Sequence, residues 1–133
     1  ARVWLWARLN YFRATSKCGL SLADSGTICN DLSPERIRAE VDESLQRLNT
    51  DYIDIYQLHW LDPGTALENT LSTLKDIQVS GKIRHIGLSN FSTAQMDEAR
   101  QYSQIVSHQG LYNMLERNPT LYHNIPLVYR TED

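Results

Sequence analysis

Positive charge is not in excess in this chain: 13 Lys and Arg face 16 Asp and Glu, a formal net charge of −3. Affinity for a phosphate backbone rests on a basic field, so a nucleic-acid partner is not expected. Cysteine is scarce. Cys18 and Cys29 form neither a CxxC pair nor a secreted-type disulfide framework, which fits a reducing, cytoplasmic setting. The four histidines, at positions 59, 85, 108 and 123, show no HExxH-like grouping, and no metal site is expected. Long apolar runs are also missing. The amino-terminal ARVWLWARLNYF surrounds a very short apolar stretch with basic residues, far below a spanning helix or a signal core, so neither membrane insertion nor targeting is indicated.

What remains is the balance of a globular protein, with 41% hydrophobic and 22% charged residues. Strand-like and helix-like segments alternate along it with short polar connections, the pattern of βαβ units and a parallel sheet. The first strand is expected within 9–16, ending in Lys17-Cys18-Gly19 and followed by a polar loop from Ser21 to Asp31. A helix then starts with Ser33 as N-cap, Pro34 at the first position and Glu35 near the positive end of its dipole. Ile37, Val41, Leu45 and Leu48 share its apolar face. Arg36 and Glu40, Arg38 and Asp42, and Glu43 and Arg47 stand four apart with opposite charges, the mark of a solvated face.

A second strand spans Tyr52 to His59. Asp54 inside it requires hydrogen-bonding or charged partners, because an unpaired carboxylate there would be costly. The turn at Asp62-Pro63-Gly64 leads to a helix over 65–80, with Leu67, Leu71, Leu74 and Ile77 inward and Gly81 as its C′ residue. The third strand covers 82–88, and Gly87 within it signals a close backbone approach. Ser92 caps a helix running to Tyr102 with Met96 and Ala99 inward, and Ile105 to Gln109 is the fourth strand. No long element is expected beyond Arg117.

Each of the four strands ends on a polar residue poorly suited to a core: Lys17, His59, the Ser89-Asn90 pair and Gln109. In a parallel α/β barrel the carboxyl ends of the strands share one face, and chemistry is located there. Taken singly, each has a plainer explanation. A strand-end lysine is commonly solvated, a histidine there is commonly a rim residue, and Ser89-Asn90 can serve only as a turn. Gln109 is the least distinctive. Cys18, beside Lys17, is expected to be structural, and His85, His108, His123, Tyr52, Tyr56 and Tyr112 to be rim or packing residues.

The stretches DYIDIYQLHW at 51–60 and GKIRHIGLSNFS at 81–92 resemble the aldo-keto reductase family. The likeness extends back through Lys17-Cys18-Gly19-Leu20 and forward through Gln109-Gly110-Leu111-Tyr112-Asn113 to Glu116-Arg117, so it covers roughly 17–117. It implies a partial (β/α)8 TIM barrel of about four βα units with parallel strands. A full barrel needs about 250 residues, so the 133 present correspond to about half of one, a single domain in which 1–8 and 118–133 are poorly matched. The implied activity is reduction of a small aldehyde or ketone by hydride from NADPH. By resemblance Lys17 lowers the pKa of a tyrosine acid, His59 orients the carbonyl, and Ser89, Asn90 and Gln109 hold the nicotinamide carboxamide.

Some family features have no counterpart here. The upstream Asp and Tyr are missing, Tyr11 lacks their motif context, and the basic segment that grips the 2′-phosphate is not found. Ser16 interrupts the usual approach to the lysine, and Trp60-Leu61 replaces the commoner Trp-Pro. The isolated chain is accordingly expected to be impaired, and to self-associate through open barrel edges. Two alternatives stay open: a non-catalytic NADPH-binding or regulatory protein on the same fold, and an unrelated barrel lyase with Lys17 as a Schiff-base amine.

Overall fold

The structure, a computed structural model, describes residues 14–22 and 27–111, together with short strands at 121–122 and 125–126. The expectations for residues 1–13, for His123 and for Tyr112 fall outside the described residues. Four strands form one sheet in the order β1 (Thr15–Cys18), β4 (Ile53–Leu58), β5 (Ile83–Ser89), β6 (Ile105–Gln109), and every pairing is parallel. Neighbours in the sheet are successive units in the chain, joined by α1 (Pro34–Leu48), α2 (Leu67–Val79) and α3 (Thr93–Tyr102). That is the winding of a (β/α)8 barrel, of which this chain forms part. The isolated pair β7 (Leu121–Tyr122) and β8 (Ile125–Pro126) is antiparallel. No helix among the described residues is long and apolar enough to cross a membrane.

The polar loop expected after Gly19 instead contains a hairpin, β2 (Leu20–Leu22) against β3 (Ile28–Asn30). These strands are three residues each and β3 is fully exposed, so they carry no apolar alternation for sequence reasoning to detect. The helices begin where their chemistry dictates. Ser33 accepts a hydrogen bond from the Arg36 N–H, and Ser92 and Gln95 form a reciprocal capping box. Asn49 ends α1 with φ 51°, a left-handed position that asparagine tolerates.

The helices pack on one face of the sheet. Ile37 and Val41 of α1, Leu71 and Leu74 of α2 and Ala99 of α3 meet Tyr56, Leu58, Ile86 and Leu88 in a single buried cluster. The apolar face of α1 is shorter than expected: Leu48 is exposed, because the helix has run past the core by then. Of the three surface pairs expected on α1, only Glu43 with Arg47 is a solvated pair within the helix. Arg38 reaches Asp76 of α2, Asp42 reaches Lys82, and Glu40, though paired with Arg36, is buried. Asp54 has the partners it requires, accepting from the Ala14 N–H at 3.1 Å and pairing with Arg84 at 2.9 Å.

The opposite face of the sheet is the barrel interior. A Cβ on Gly87 would collide with Ser107 Oγ and lie 2.9 Å from Gln57 Cγ and 3.2 Å from Ile55 Cγ2, so those three side chains share the face toward which Gly87 points. The close approach expected at Gly87 is thus a side-chain crossing: Gln57 Nε2 donates to Ser107 Oγ over the glycine at 3.3 Å.

Candidate active site

Strand register fixes the height of each candidate residue. Lys17 is the Cα partner of Gln57, Gln57 of Gly87, and Gly87 of Ser107, which makes one row across all four strands on the interior face. The next interior row holds Ser89 and its partner Gln109, with His59 just beyond the last residue of β4. Side chains alternate across a strand, so residues two apart share a face. All five candidates therefore sit at the carboxyl end of one sheet. Lys17, Ser89 and Gln109 are interior by register, and His59 follows Gln57 by two positions.

Their environments differ. Lys17 and His59 line one open cleft of about 260 Å3 between the end of β1 and α1, together with Cys18, Leu20 and the stripe Arg36, Glu40, Glu43 and Arg47 of α1. Ser89 and Asn90 are buried, at 2% and 5% exposure, and neither they nor the exposed Gln109 line that cleft. Partial burial holds the His59 pKa below its usual 6.5, and the positive charge of Lys17 adds to the effect. His59 is thus kept neutral at lower pH than a free imidazole. Its ring also stacks at 6.5 Å on Trp60.

Asn90 fastens the rim. Its φ of 60° places it in the left-handed region. From there its N–H donates to the Gln109 carbonyl at 2.9 Å. The two hydrogens of Nδ2 serve the His59 carbonyl at 3.0 Å and Ser89 Oγ at 3.1 Å. One residue thereby links the ends of β4, β5 and β6. Next to it, the Phe91 N–H donates to His108 Nε2 at 3.3 Å, a bond that requires an unprotonated nitrogen. Burial also lowers the His108 pKa.

Several contributors were not evident in the sequence. Gln57 looked like strand interior, yet it is a buried carboxamide one row beneath the candidate carboxamide holders. Asp62 looked like an ordinary turn residue. Its carboxylate accepts from the Leu32 N–H at 3.0 Å, the Gly64 N–H at 2.8 Å and the Thr65 hydroxyl at 2.7 Å. Burial works to raise its pKa, but these three bonds outweigh it and hold the group below 3.8. Asn30 adds a further tie from β3, donating to the Leu61 carbonyl at 3.0 Å. The loop leaving His59 is therefore anchored to the start of α1. A polar residue outside the expected surface pattern was the one available signal for both.

Cys18 is structural. Its thiol lies on the helix-facing side, where burial, reinforced by the Glu40 carboxylate, pushes its pKa far up. That is opposite to what a reactive thiolate needs. Cys29 is a free, exposed thiol. No group of three or more metal-ligating side chains occurs among the described residues.

A family model described as the aldo/keto reductase family matches residues 8–124. An aldo-keto reductase of Bacillus subtilis is 50% identical over 82 residues, 62% of this chain and 25% of that protein. A protein of Escherichia coli named NADH-specific methylglyoxal reductase is 38% identical, over 77% of this chain and 35% of its own length. Among solved structures, the glycerol dehydrogenase of Gluconobacter oxydans superposes with a TM-score of 0.76 at 35% identity, covering 85% of this chain and 36% of that one. The chain thus spans about a quarter to just over a third of the proteins it resembles.

Proposed function

Because the chain belongs to the aldo/keto reductase family, we propose that it carries part of the active site of an NADPH-dependent reductase of small aldehydes and ketones. The observation that supports this most is the gathering of Lys17, His59, Ser89 and Gln109 at the carboxyl end of one parallel sheet. The bound nicotinamide would supply hydride to the carbonyl carbon.

The residues fit such a group. A primary carboxamide has both donors and acceptors, and Ser89 and Gln109 can answer both from adjacent strands in register. Asn90 stays with Ser89 and Gln109 as a proposed holder of the carboxamide, and its amide hydrogens, bonded within the chain, fix its place at the rim. His59, neutral because of burial and Lys17, donates a ring N–H to the substrate oxygen and orients the carbonyl. Lys17 places a positive charge beside it, which favours ionisation of a neighbouring acid and steadies charge developing on the oxygen. No tyrosine among the described residues lines the cleft. The buried Tyr56 lies on the helix-facing side with its pKa raised, so the role of proton donor is assigned to none of these residues.

The similar proteins named for methylglyoxal reduction and glycerol oxidation represent two directions of one carbonyl–alcohol interconversion on small polar molecules. That substrate class is carried over here as part of the proposal. One of the two is named NADH-specific, so nucleotide choice is tested directly. NADPH and NADH are titrated separately against the protein by quenching of nucleotide fluorescence, followed by turnover of a small aldehyde. The proposal expects saturable NADPH binding that Gln109→Ala and Ser89→Ala weaken. Absence of binding by either nucleotide overturns it, and tighter binding of NADH reverses the cofactor assignment. Binding without turnover favours the non-catalytic alternative.

A further inference from the structure

Glutamate is almost never fully buried without a partner, because its charge must be compensated. Glu40 is 7% exposed on α1 and lines the cleft that contains Lys17 and His59. One of its oxygens pairs with Arg36 at 2.8 Å. The other accepts the Gly19 N–H at 2.7 Å, a short charge-assisted bond between elements 21 residues apart.

Gly19 is where the chain leaves β1. Its φ of 93° favours glycine, and a Cβ there would overlap Leu32 Cδ2. The Gly19 carbonyl accepts from the Asp31 N–H at 3.1 Å. The residue is therefore held on both of its polar groups and wedged against a buried leucine. Two positions earlier stands Lys17, on a strand whose only sheet partner among the described residues is β4. On that side the His59 N–H donates to the Cys18 carbonyl at 3.0 Å. The other side of the strand's end is held by Glu40.

We propose that Glu40 is the positioning residue for Lys17: by gripping the Gly19 N–H it sets where Lys17 stands relative to His59. This rests on the reductase proposal only in assigning Lys17 a task. Reach and charge can be separated by substitution. Glu40→Gln keeps an oxygen at the same reach and removes the charge. Glu40→Asp keeps the charge and withdraws it by one methylene. Glu40→Leu removes both.

The test uses the full chain and three readouts that need no turnover: hydrogen exchange of the Gly19 amide, the rate of amine modification at Lys17 followed by peptide mass, and NMR titration of the His59 ring. In Glu40→Asp and Glu40→Leu the Gly19 amide is expected to exchange about 10- to 100-fold faster, the scale of one lost hydrogen bond to a charged group. Lys17 modification is expected to change several-fold, and the His59 midpoint to move toward its ordinary value as the lysine leaves. Glu40→Gln, which keeps the reach and gives up only the charge assistance, is expected to move each readout less than Glu40→Asp. Should Glu40→Leu fail to fold, the Asp and Gln variants still decide. The proposal is overturned if Glu40→Asp leaves Lys17 and His59 unchanged, or if Glu40→Gln is as disruptive as Glu40→Asp. Failure of the wild type to bind a nicotinamide nucleotide would sink the reductase proposal and leave these three measurements standing.

Discussion

Removing the Asp62 carboxylate should unfasten the loop that follows His59, and the size of the effect can be worked bond by bond. The Leu32 N–H is the critical donor, since Leu32 is 1% exposed and no water can replace the lost oxygen. A hydrogen bond to a charged group contributes roughly 1.5–3 kcal/mol, and a stranded buried donor keeps the loss near the top of that range. Gly64 and Thr65 are more open and can turn to solvent, so their bonds add only about 0.5–1 kcal/mol together. Asp62→Ala is therefore expected to destabilise by about 2–4 kcal/mol, and Asp62→Asn, which retains one acceptor, by about half as much. The folded pKa lies below 3.8, so the stabilisation is complete above that value and is lost as pH falls through the folded pKa. Urea unfolding followed by circular dichroism at fixed protein concentration, from pH 7 down to about pH 3, measures this. The gap between wild type and Asp62→Ala should stay constant in the upper part of that range and narrow in the lowest part. A gap under about 0.5 kcal/mol at neutral pH, the size expected of an inert surface change, would refute the reasoning. So would a gap that is indifferent to acid.

Three further outcomes follow from the same geometry. The His59 ring should titrate below 6.5, so its neutral form and the stability linked to it persist above that value and are lost as pH falls through the folded pKa; Lys17→Met should raise the midpoint, and an unmoved NMR titration would remove Lys17 as a neighbour. Gly87→Ala should cost about 1–3 kcal/mol through overlap with Ser107 and Gln57, and Ser107→Gly in the same chain should recover part of it; strictly additive unfolding energies would show that the crossing is not the cause. β1 and β6 each have one edge without a strand partner among the described residues, so the isolated chain should sediment as more than a monomer, and a stable monomer with cooperative unfolding would contradict this.

Three of the four strands were legible because they are bounded by strong turn chemistry, whereas β1, expected within 9–16, is described at Thr15–Cys18, beyond that range by two residues. β6 occupies the expected residues, and α3 is capped by the expected Ser92 because that cap is written locally, with Gln95 three positions on. Glu40 was misjudged for the opposite reason. Four residues from Arg36, it has the spacing of a solvated pair, and that pair does form; what buries it is Gly19, which no helical period contains. Asp62 belongs to the same class. Its turn with Gly64 is visible in Asp-Pro-Gly, whereas its bond to Leu32 depends on where β3 delivers the chain. Gln57 and Ser107 were hidden because a buried parallel strand is expected to be apolar on both faces, and a carboxamide there has meaning only once Gly87 is known to leave it room. The candidate residues were singled out by their place at strand ends, and their proposed roles came from the family resemblance.

Asn90 joins three consecutive strand termini with its own backbone and side-chain bonds, every partner standing at the last residue of a strand or one position past it. A platform latched in this way is insulated from whatever is grafted above it. Segments further along the chain from the latch can lengthen, shorten or change composition while the three strand ends it ties together keep their places.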